Sequence, residues 1–262
     1  MKLILLFTLF LFSAAACPVP EEKKIELSDV AESINTPPSY TQGFIYYDGF
    51  IYESSGIYGK SKLLRVNPKT GAKHVLNTLP KHIFGEGLTK FGDYLFQFSW
   101  KEEAVFIYKY GNWSAPKLAK YPGEAWGVTT YENKLLLSDG TPQLHLLNPN
   151  NLQIERSINV LVGNQPLEDI NELENISGKI WANTWGSNFI HVIDTKTGCV
   201  HSKLDLTLLY NVATKHVQSL PEYDPWEHVL NGIANDTNTG DIFITGKNWS
   251  KIFVIQIDQI NF

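Results

Sequence analysis

The stretch of sequence that decides the fold is GEGLTKFGDYLFQFSWKEEAVFIYKY, at residues 85–110. It opens with a carboxylate between two glycines and continues into short aromatic and β-branched runs, which are separated by glycine and charged residues. Runs of this kind, bounded by turn-forming residues, predict β-strands joined by tight connections. The same order of elements recurs four more times along the chain, so this stretch is one copy of a repeat.

The repeats keep their strands but differ in the polar residue at their start. The equivalent positions are Gln42, Glu86, Trp126, Glu172 and Asn231. The steps between them are about 44, 40, 46 and 59 residues, which is the period of a four-stranded propeller blade. Turn signals at 67–71, 148–151 and 194–198 occupy matching places and predict hairpin turns. The sequence therefore predicts an all-β, five-bladed β-propeller, with a β-sandwich of accidentally similar strands as the alternative.

One segment departs from the repeat. Residues 200–229 lie between the fourth and fifth copies, and no part of the chain shows a sustained helical period. A long connection of this kind is either a lid over one end of the central channel or a surface excursion, and the sequence favours the excursion. The predicted division of the chain is a signal peptide at 1–17, a polar tether at 18–37 and a catalytic propeller domain at 38–262.

The N-terminus has the pattern of a secretory signal. A single lysine, Lys2, precedes the apolar run 3–12, and small residues follow up to Cys17. A cysteine directly after three alanines also fits a lipoprotein box, in which Cys17 would carry a lipid, so simple cleavage and lipid attachment are both open. Either route predicts an extracytoplasmic protein that is secreted, periplasmic or lipid-anchored. A lipid on Cys17 would be its only link to the membrane.

Cysteine usage and charge limit the function classes. If Cys17 is removed or lipidated, Cys199 has no partner, and the sequence then predicts no intrachain disulfide. The formal net charge is -5 and no basic run is present, so nucleic acid is not an expected partner. Spacings typical of zinc sites, nucleophile elbows and phosphate loops are absent from the sequence. We expect a monomer that requires no cofactor, with a structural calcium ion in the channel as an option.

The candidate chemistry lies at the start of the repeats and at the ends of the strands that follow. Glu86 between two glycines is either a surface turn residue or a carboxyl held in an apolar site, where its pKa would rise. Trp100, Trp126 and Trp185 occupy comparable positions, and they either pack between blades or converge on one mouth of the channel as an apolar cage.

Seven motifs, taken in order, resemble one family. They are Tyr-Thr-Gln-Gly-Phe at 40–44, Tyr-Glu-Ser-Ser-Gly at 52–56, Gly-Glu-Gly-Leu-Thr at 85–89, Ser-Asp-Gly at 138–140, Asn-Glu-Leu-Glu at 171–174, Leu-Asn-Gly-Ile-Ala at 230–234 and Thr-Gly-Lys-Asn-Trp at 245–249. Together, over about residues 38–256, they resemble the plant-type glutaminyl-peptide cyclotransferases, which also occur in bacteria. Ala125 and Ser99 depart from the family pattern, where glycine and threonine are usual. Members of that family are five-bladed propellers.

The resemblance implies a reaction and a set of site residues. The reaction closes an N-terminal glutamine of a peptide or protein into pyroglutamate and releases ammonia, without a catalytic metal. The implied catalytic residues are Glu86, as the acid and base, and Lys247. The implied substrate-binding residues are Gln42, Asn171, Trp100, Trp126 and Trp185.

Two other functions are compatible with a propeller, because one fold hosts many activities. The first is a non-catalytic propeller that binds peptides or glycans at the cell surface. The second is a calcium-dependent lactonase-type hydrolase, which would need several inward carboxylate and amide ligands. The site residues here are rich in amide, lysine and tryptophan, which fits metal-dependent hydrolysis less well.

Overall fold

The computed structural model describes residues 16–221 and 223–256. Residues 1–15 of the predicted signal peptide at 1–17 and the last residues of the predicted domain, 257–262, lie outside this part of the chain. Within the described residues, no helix combines the length and the apolar character that crossing a membrane requires.

The architecture of the described residues is all-β, with three short helical elements. The N-terminal strands are β1 (Glu21–Lys24) and β2 (Val30–Asn35), separated by a 3-10 turn at Leu27–Asp29. The first repeat forms β3 (Thr41–Tyr47), β4 (Phe50–Ser55), β5 (Lys62–Val66) and β6 (Lys73–Thr78). The second forms β7 (Gly85–Phe91), β8 (Tyr94–Ser99), β9 (Ala104–Lys109) and β10 (Asn112–Lys120).

The remaining repeats follow the same order with additions. The third forms β11 (Val128–Tyr131), β12 (Lys134–Ser138), β13 (Gln143–Leu147) and β14 (Ile154–Asn159). The fourth region forms β15 (Leu161–Val162), β16 (Gln165–Pro166), β17 (Ile170–Ile176), β18 (Lys179–Thr184), β19 (Phe189–Asp194) and β20 (Cys199–Asp205). After it come α1 (Thr207–Thr214), a 3-10 turn at Pro225–Glu227, β21 (Leu230–Asp236), β22 (Asp241–Gly246) and β23 (Lys251–Gln256).

The prediction of a five-bladed propeller is wrong. In the described chain, four sheets are four-stranded blades: β3–β6, β7–β10, β11–β14, and β21–β23 closed by β2. The fourth repeat builds a seven-stranded sheet instead, because β1 and β15 both pair with the outer strand β20, and β16 extends β15. These additions cover the outer edge of β20, an edge that would otherwise be free to pair with another chain.

The sheets are arranged around a channel lined by their first strands. The inner strands contact one another in the order β3, β7, β11, β17, β21 and back to β3. Hydrophobic clusters fill the space between neighbouring sheets; in one of them Phe44 and Ile51 pack against Phe243 and Val254. The predicted hairpin turns are confirmed, since Asn67, Asn148 and Asp194 each accept a backbone N–H two residues further on. The propeller arrangement therefore follows from the repeat.

The predicted tether at 18–37 is incorporated into the fold. Strand β2 pairs with β23 and supplies the outer strand of the last blade, and Ile34 is buried there. Strand β1 runs parallel to β20, and Ile25 directly after it is fully buried. Both segments contribute strand hydrogen bonds and an apolar side chain, so 18–37 is a structural part of the propeller and not a linker.

The prediction of no intrachain disulfide, which assumed that Cys17 is removed or lipidated, does not hold for the described chain. Pairing of β1 with β20 brings Cys17 to Cys199, with 5.4 Å between their Cα atoms, and the two form a disulfide. The sulfur of Cys17 is therefore engaged and cannot at the same time carry the thioether of a lipid anchor. Sequence spacing could not show this contact, because 182 residues separate the two cysteines.

Replacing both cysteines by serine should destabilise the protein by about 2–3 kcal/mol, because the cross-link limits the conformations of the unfolded chain. Thermal unfolding of the purified protein, with and without reductant, measures this difference. Reductant should lower the midpoint of the wild type and leave that of the double variant unchanged. Equal midpoints in all four samples would contradict a stabilising role.

Candidate active site

All seven predicted site residues line one cavity of about 350 Å³ at one end of the channel. They are Gln42, Glu86, Trp100, Trp126, Asn171, Trp185 and Lys247. Tyr40, Ile57, Phe84 and Glu227 complete its wall. The arrangement follows from the hairpins: the start of an inner strand and the end of the next strand lie at the same edge of an antiparallel pair.

Irregular pairing at this edge turns the inner-strand residues toward the cavity. In four of the sheets, the pairing between the inner strand and the next strand shifts its register once. The shifts lie at Thr41/Gly43, Gly85/Leu88, Ile170/Leu173 and Leu230/Ile233. These bulges fall on Gln42, Glu86, Asn171 and Asn231. A bulge removes a residue from the regular alternation and re-aims its side chain. The repeat therefore places an amide or a carboxyl side chain at the corresponding bulge of each of these sheets.

Glycine at this edge allows the inner strands to approach one another. A Cβ on Gly43 would collide with the backbone of Leu88, and one on Gly127 would collide with the backbone carbonyl of Asn171. Close approach of neighbouring backbones is a general reason for glycine within a strand. The x-Gly pattern at the start of the repeats is thus a packing requirement that also brings the polar residues together.

Glu86 is the central ionisable group of the cavity. Its Oε1 accepts a hydrogen bond from Gln42 Nε2 at 2.7 Å, whereas its buried Oε2 has no hydrogen-bond partner within the protein. Burial raises the pKa of this carboxyl well above its usual value; Lys247 opposes the shift, and Glu102 and Glu124 add to it. Glu86 is therefore a proton acceptor of increased basicity with one oxygen available to a ligand.

Lys247 is the cation of the site. It follows the end of β22 directly, is 4% exposed, and holds its Nζ 5.0 Å from the centre of the Tyr40 ring. Burial lowers the pKa of its amine, and the carboxylates of Glu86 and Glu227 oppose that shift. Lys247 and Glu86 thus shift each other's pKa in a buried cavity, and such pairs of perturbed groups are typical of sites that transfer protons.

The two amide residues among the predicted site residues, Gln42 and Asn171, have different surroundings. Asn231 Nδ2 donates to the backbone carbonyl of Thr41 at 2.9 Å and lies 3.3 Å from Gln42 Oε1. Gln42 is thus held by Asn231 and in turn holds Glu86. The Oδ1 of Asn171 is buried without a hydrogen-bond partner, which leaves it free to accept from a ligand. Ser138 fixes the backbone there by donating to the Asn171 carbonyl at 2.6 Å.

Sequence reasoning missed the role of Glu124. Its Oε2 accepts the indole N–H of Trp100 at 3.0 Å and that of Trp126 at 3.1 Å. Lys101 pairs with the other oxygen of Glu124 at 3.4 Å and lies 3.8 Å from the centre of the Trp100 ring. The two indoles are therefore oriented by one carboxylate, and their N–H groups are engaged. Glu124 immediately precedes Ala125-Trp126 in its repeat, and this proximity was the signal available in the sequence.

Two further carboxyls follow Asn171 along β17 into the channel. Burial raises the pKa of Glu172, which accepts the backbone N–H of Ile233 at 2.9 Å. Burial also raises the pKa of Glu174 to about 8. A larger cavity, of about 500 Å³, opens at the other end of the inner strands and includes Glu174. In the described part of the chain, no group of three or more His, Cys, Asp or Glu side chains is arranged to hold a metal ion.

We expect Glu174→Gln to change the pH dependence of stability. The folded-state pKa lies above that of an unfolded glutamate, so the folded state binds the proton more tightly and the wild type loses stability as pH rises from about 4.5 to 8. The amide does not titrate, so the variant should lose less stability over this range. Urea unfolding at pH 5 and pH 8 measures the difference. Glu168→Gln, at an exposed position, is the matched control.

Three comparisons with known proteins point to the same family. The family model described as glutamine cyclotransferase matches residues 3–257. A glutaminyl-peptide cyclotransferase of Arabidopsis thaliana is 34% identical over 236 residues, which cover 89% of this chain and 72% of that protein. The crystal structure of the glutaminyl cyclase of Myxococcus xanthus superposes with a TM-score of 0.78 at 29% identity, covering 90% of this chain and 97% of the other.

Proposed function

This chain belongs to the glutamine cyclotransferase family, and we propose that its cavity converts the N-terminal glutamine of peptides and proteins to pyroglutamate with release of ammonia. The observation that carries the proposal is Glu86: a buried carboxyl of raised pKa, fixed through one oxygen and free at the other, beside a buried lysine. An intramolecular cyclisation needs no nucleophilic side chain from the enzyme. It needs a group that accepts a proton from the attacking nitrogen and donates one to the leaving nitrogen.

The first step is removal of a proton from the substrate amine. An α-amine has a pKa near 8, so at neutral pH most of the substrate carries an ammonium group that cannot attack. The free Oε2 of Glu86 accepts this proton, and the raised pKa of Glu86 brings donor and acceptor closer in basicity. The α-nitrogen then attacks the γ-carboxamide carbon and forms the fifth bond of the ring.

The second step is departure of ammonia. After the attack, the ring nitrogen carries one proton more than in pyroglutamate and releases it to solvent. Glu86 returns the proton that it holds to the amide nitrogen, the bond between the carboxamide carbon and that nitrogen breaks, and ammonia departs. The carbonyl oxygen is negatively charged between the two steps. Lys247 is the cation in position to stabilise it, and one good donor of this kind contributes on the order of 3 kcal/mol.

The remaining residues orient the substrate. Asn171 offers its free Oδ1 to an N–H of the substrate, while Trp100, Trp126 and Trp185 form apolar walls that favour the folded rotamer needed for ring closure. The role of Gln42 differs from the substrate-binding role that the resemblance implies. Gln42 positions Glu86, and Glu124 occupies the N–H groups of Trp100 and Trp126.

The test is incubation with a peptide that begins with glutamine, followed by mass spectrometry and an ammonia assay. We expect loss of one ammonia per peptide, unchanged by a metal chelator, and no reaction of the matching peptide that begins with asparagine, whose shorter side chain would have to close a four-membered ring. Binding of the glutamine peptide without ammonia release would instead identify a non-catalytic binding propeller. Inhibition by the chelator would contradict the metal-free mechanism.

The disulfide supports an extracytoplasmic location, because disulfides persist in oxidising compartments. We propose secretion through the predicted signal, with cleavage before Cys17 so that the disulfide is kept, and with the lipid anchor on Cys17 as a competing modification of the same sulfur. Mass spectrometry of the N-terminal peptide of the mature protein decides between disulfide and lipid. The monomeric state and a structural calcium ion in the channel stay predictions.

A further inference from the structure

We propose that Trp226, together with Trp185 and Glu227, forms a subsite for the residue that follows the N-terminal glutamine, and that this subsite selects a basic side chain. The inference rests on the proposed function, since it assumes that the glutamine occupies the cavity. The rest of the peptide must then leave through the mouth of the cavity. The residue after glutamine therefore meets whatever lines that mouth.

An exposed aromatic pair lies at the mouth. Trp185 lines the cavity, and its ring lies 5.2 Å from the ring of Trp226 between centroids. Both side chains are open to solvent, at 40% and 54% exposure. Gly186 makes room for the pair: its φ is +76°, and a Cβ at this position would collide with the Trp226 ring. Exposed adjoining aromatic surface beside a binding cavity is typical of a contact site.

Trp226 belongs to the segment that departs from the repeat, and it is held in place there. Asp224 Oδ1 accepts the backbone N–H of Trp226 at 2.9 Å. Asn248 donates to the carbonyl of Glu227 at 3.0 Å, and Trp249 Nε1 donates to the carbonyl of His228 at 2.7 Å. Asn248 and Trp249 directly follow Lys247, so the segment is tied to the strand end that supplies the site cation. A fixed contact of this kind costs little entropy on binding.

The charge at the mouth favours a cation. Glu227 lines the cavity and is exposed, and its negative charge acts to raise the pKa of both Tyr40 and Lys247. Glu102 and Glu124 are also close enough to raise the pKa of Glu86, so further negative charge surrounds the cavity. The structure already contains the expected interaction once, where Lys101 lies over the Trp100 ring beside Glu124. Among the described residues, no lysine or arginine covers Trp185 or Trp226 in this way. An arginine or lysine of the substrate can do so, with Glu227 as its counter-charge.

The competing path for the peptide has the opposite charge. A groove of about 510 Å³ shares Tyr40, Ile57 and Glu227 with the cavity and contains Lys60 and Lys62. A peptide that left along this groove would favour an acidic residue. The two paths therefore predict opposite preferences.

The experiment compares kcat/KM for three peptides that differ only after the glutamine, with arginine, alanine or glutamate at the second position. For the wild type we expect arginine to exceed glutamate by about tenfold, from one cation–π contact and one exposed ion pair. Trp226→Ala and Glu227→Gln should each reduce this ratio several-fold. Leu118→Ala, an exposed apolar residue on the outer strand β10, is the control and should keep it.

Each result has a distinct meaning. Turnover of all three peptides at equal rates, or a ratio that Trp226→Ala leaves unchanged, would overturn the subsite while keeping the cyclase. A preference for glutamate would overturn it in favour of the groove with Lys60 and Lys62. No turnover of any glutamine peptide would instead refute the proposed function. Because Trp226 is exposed, its replacement should not prevent folding, and circular dichroism checks this.

Discussion

Glu86→Gln should abolish ammonia release from a peptide that begins with glutamine, with a loss of kcat/KM of at least about 10³-fold. Proton transfer by a positioned side chain contributes about 10² to 10⁴ in rate, and here one group serves both the attack and the departure of ammonia. The amide has the size of the carboxyl, and its oxygen can still accept the hydrogen bond from Gln42. What it cannot do is accept a proton.

The same substitution should not weaken the fold. Burial raises the pKa of Glu86, so the folded protein disfavours the charged form and the wild type loses stability as pH rises above the ordinary carboxyl value. The amide avoids this cost, so the variant should be at least as stable as the wild type, with an advantage that grows with pH. Thermal unfolding at pH 5 and pH 8 measures it.

Two results would argue against the role of Glu86. Turnover of the Glu86→Gln variant near the wild-type rate would remove it from the mechanism. Loss of activity together with loss of the folded state would leave the stability argument wrong, because the substitution would then have disturbed packing. Glu32→Gln, on the exposed outer strand β2, is the matched control and should keep both rate and stability.

The convergence of the site residues could be predicted from the sequence because the repeat fixes their phase. Gln42 and Glu86 occupy the same place in their repeats, Asn171 directly precedes the equivalent Glu172, and a propeller brings equivalent places to one end of the channel. The turns after Asn67, Asn148 and Asp194 could be predicted for a similar reason, since each depends on a side chain that bonds to backbone two residues away. Local chemistry repeated at a fixed period is visible in a sequence.

Contacts without a local signal could not be predicted. Strands β15 and β16 have two residues each, too few for an alternating pattern, so the seven-stranded sheet was missed. The same holds for α1, because its eight residues are too few to show a sustained helical period. The position of Cys17 beside Cys199 depends on the parallel pairing of β1 with β20, which no spacing rule reports.

The finer structure of the site was hidden for a related reason. A sequence shows that Gln42 and Glu86 lie in corresponding places, but the direction of their hydrogen bond is decided by Asn231 in a third sheet. Glu124 likewise serves two tryptophans that come from neighbouring blades. Side chains that position other side chains carry no motif of their own, so these roles emerged only from the geometry.

Lys247→Met should lower kcat by about 10²-fold, since removal of one donor from a developing oxyanion typically costs 10² to 10³ in rate. Methionine keeps the unbranched length and suits a buried position, so the fold should persist. The charge also acts on Glu86. Because the Lys247 cation lowers the pKa of that carboxyl, its loss should raise the Glu86 pKa further.

The pH profile separates this role from a structural one. Glu86 must be ionised to accept the proton, so kcat/KM rises with pH through the Glu86 pKa, and in Lys247→Met this rise should move to higher pH. Lys247→Arg retains the charge but not the shape, so it should keep the wild-type position of the rise even where its rate is reduced. Lys196→Met, in an exposed turn, should alter neither. A Lys247→Met enzyme with reduced rate and an unmoved profile would show that Lys247 does not act on Glu86, and one with an unreduced rate would exclude it as the oxyanion donor.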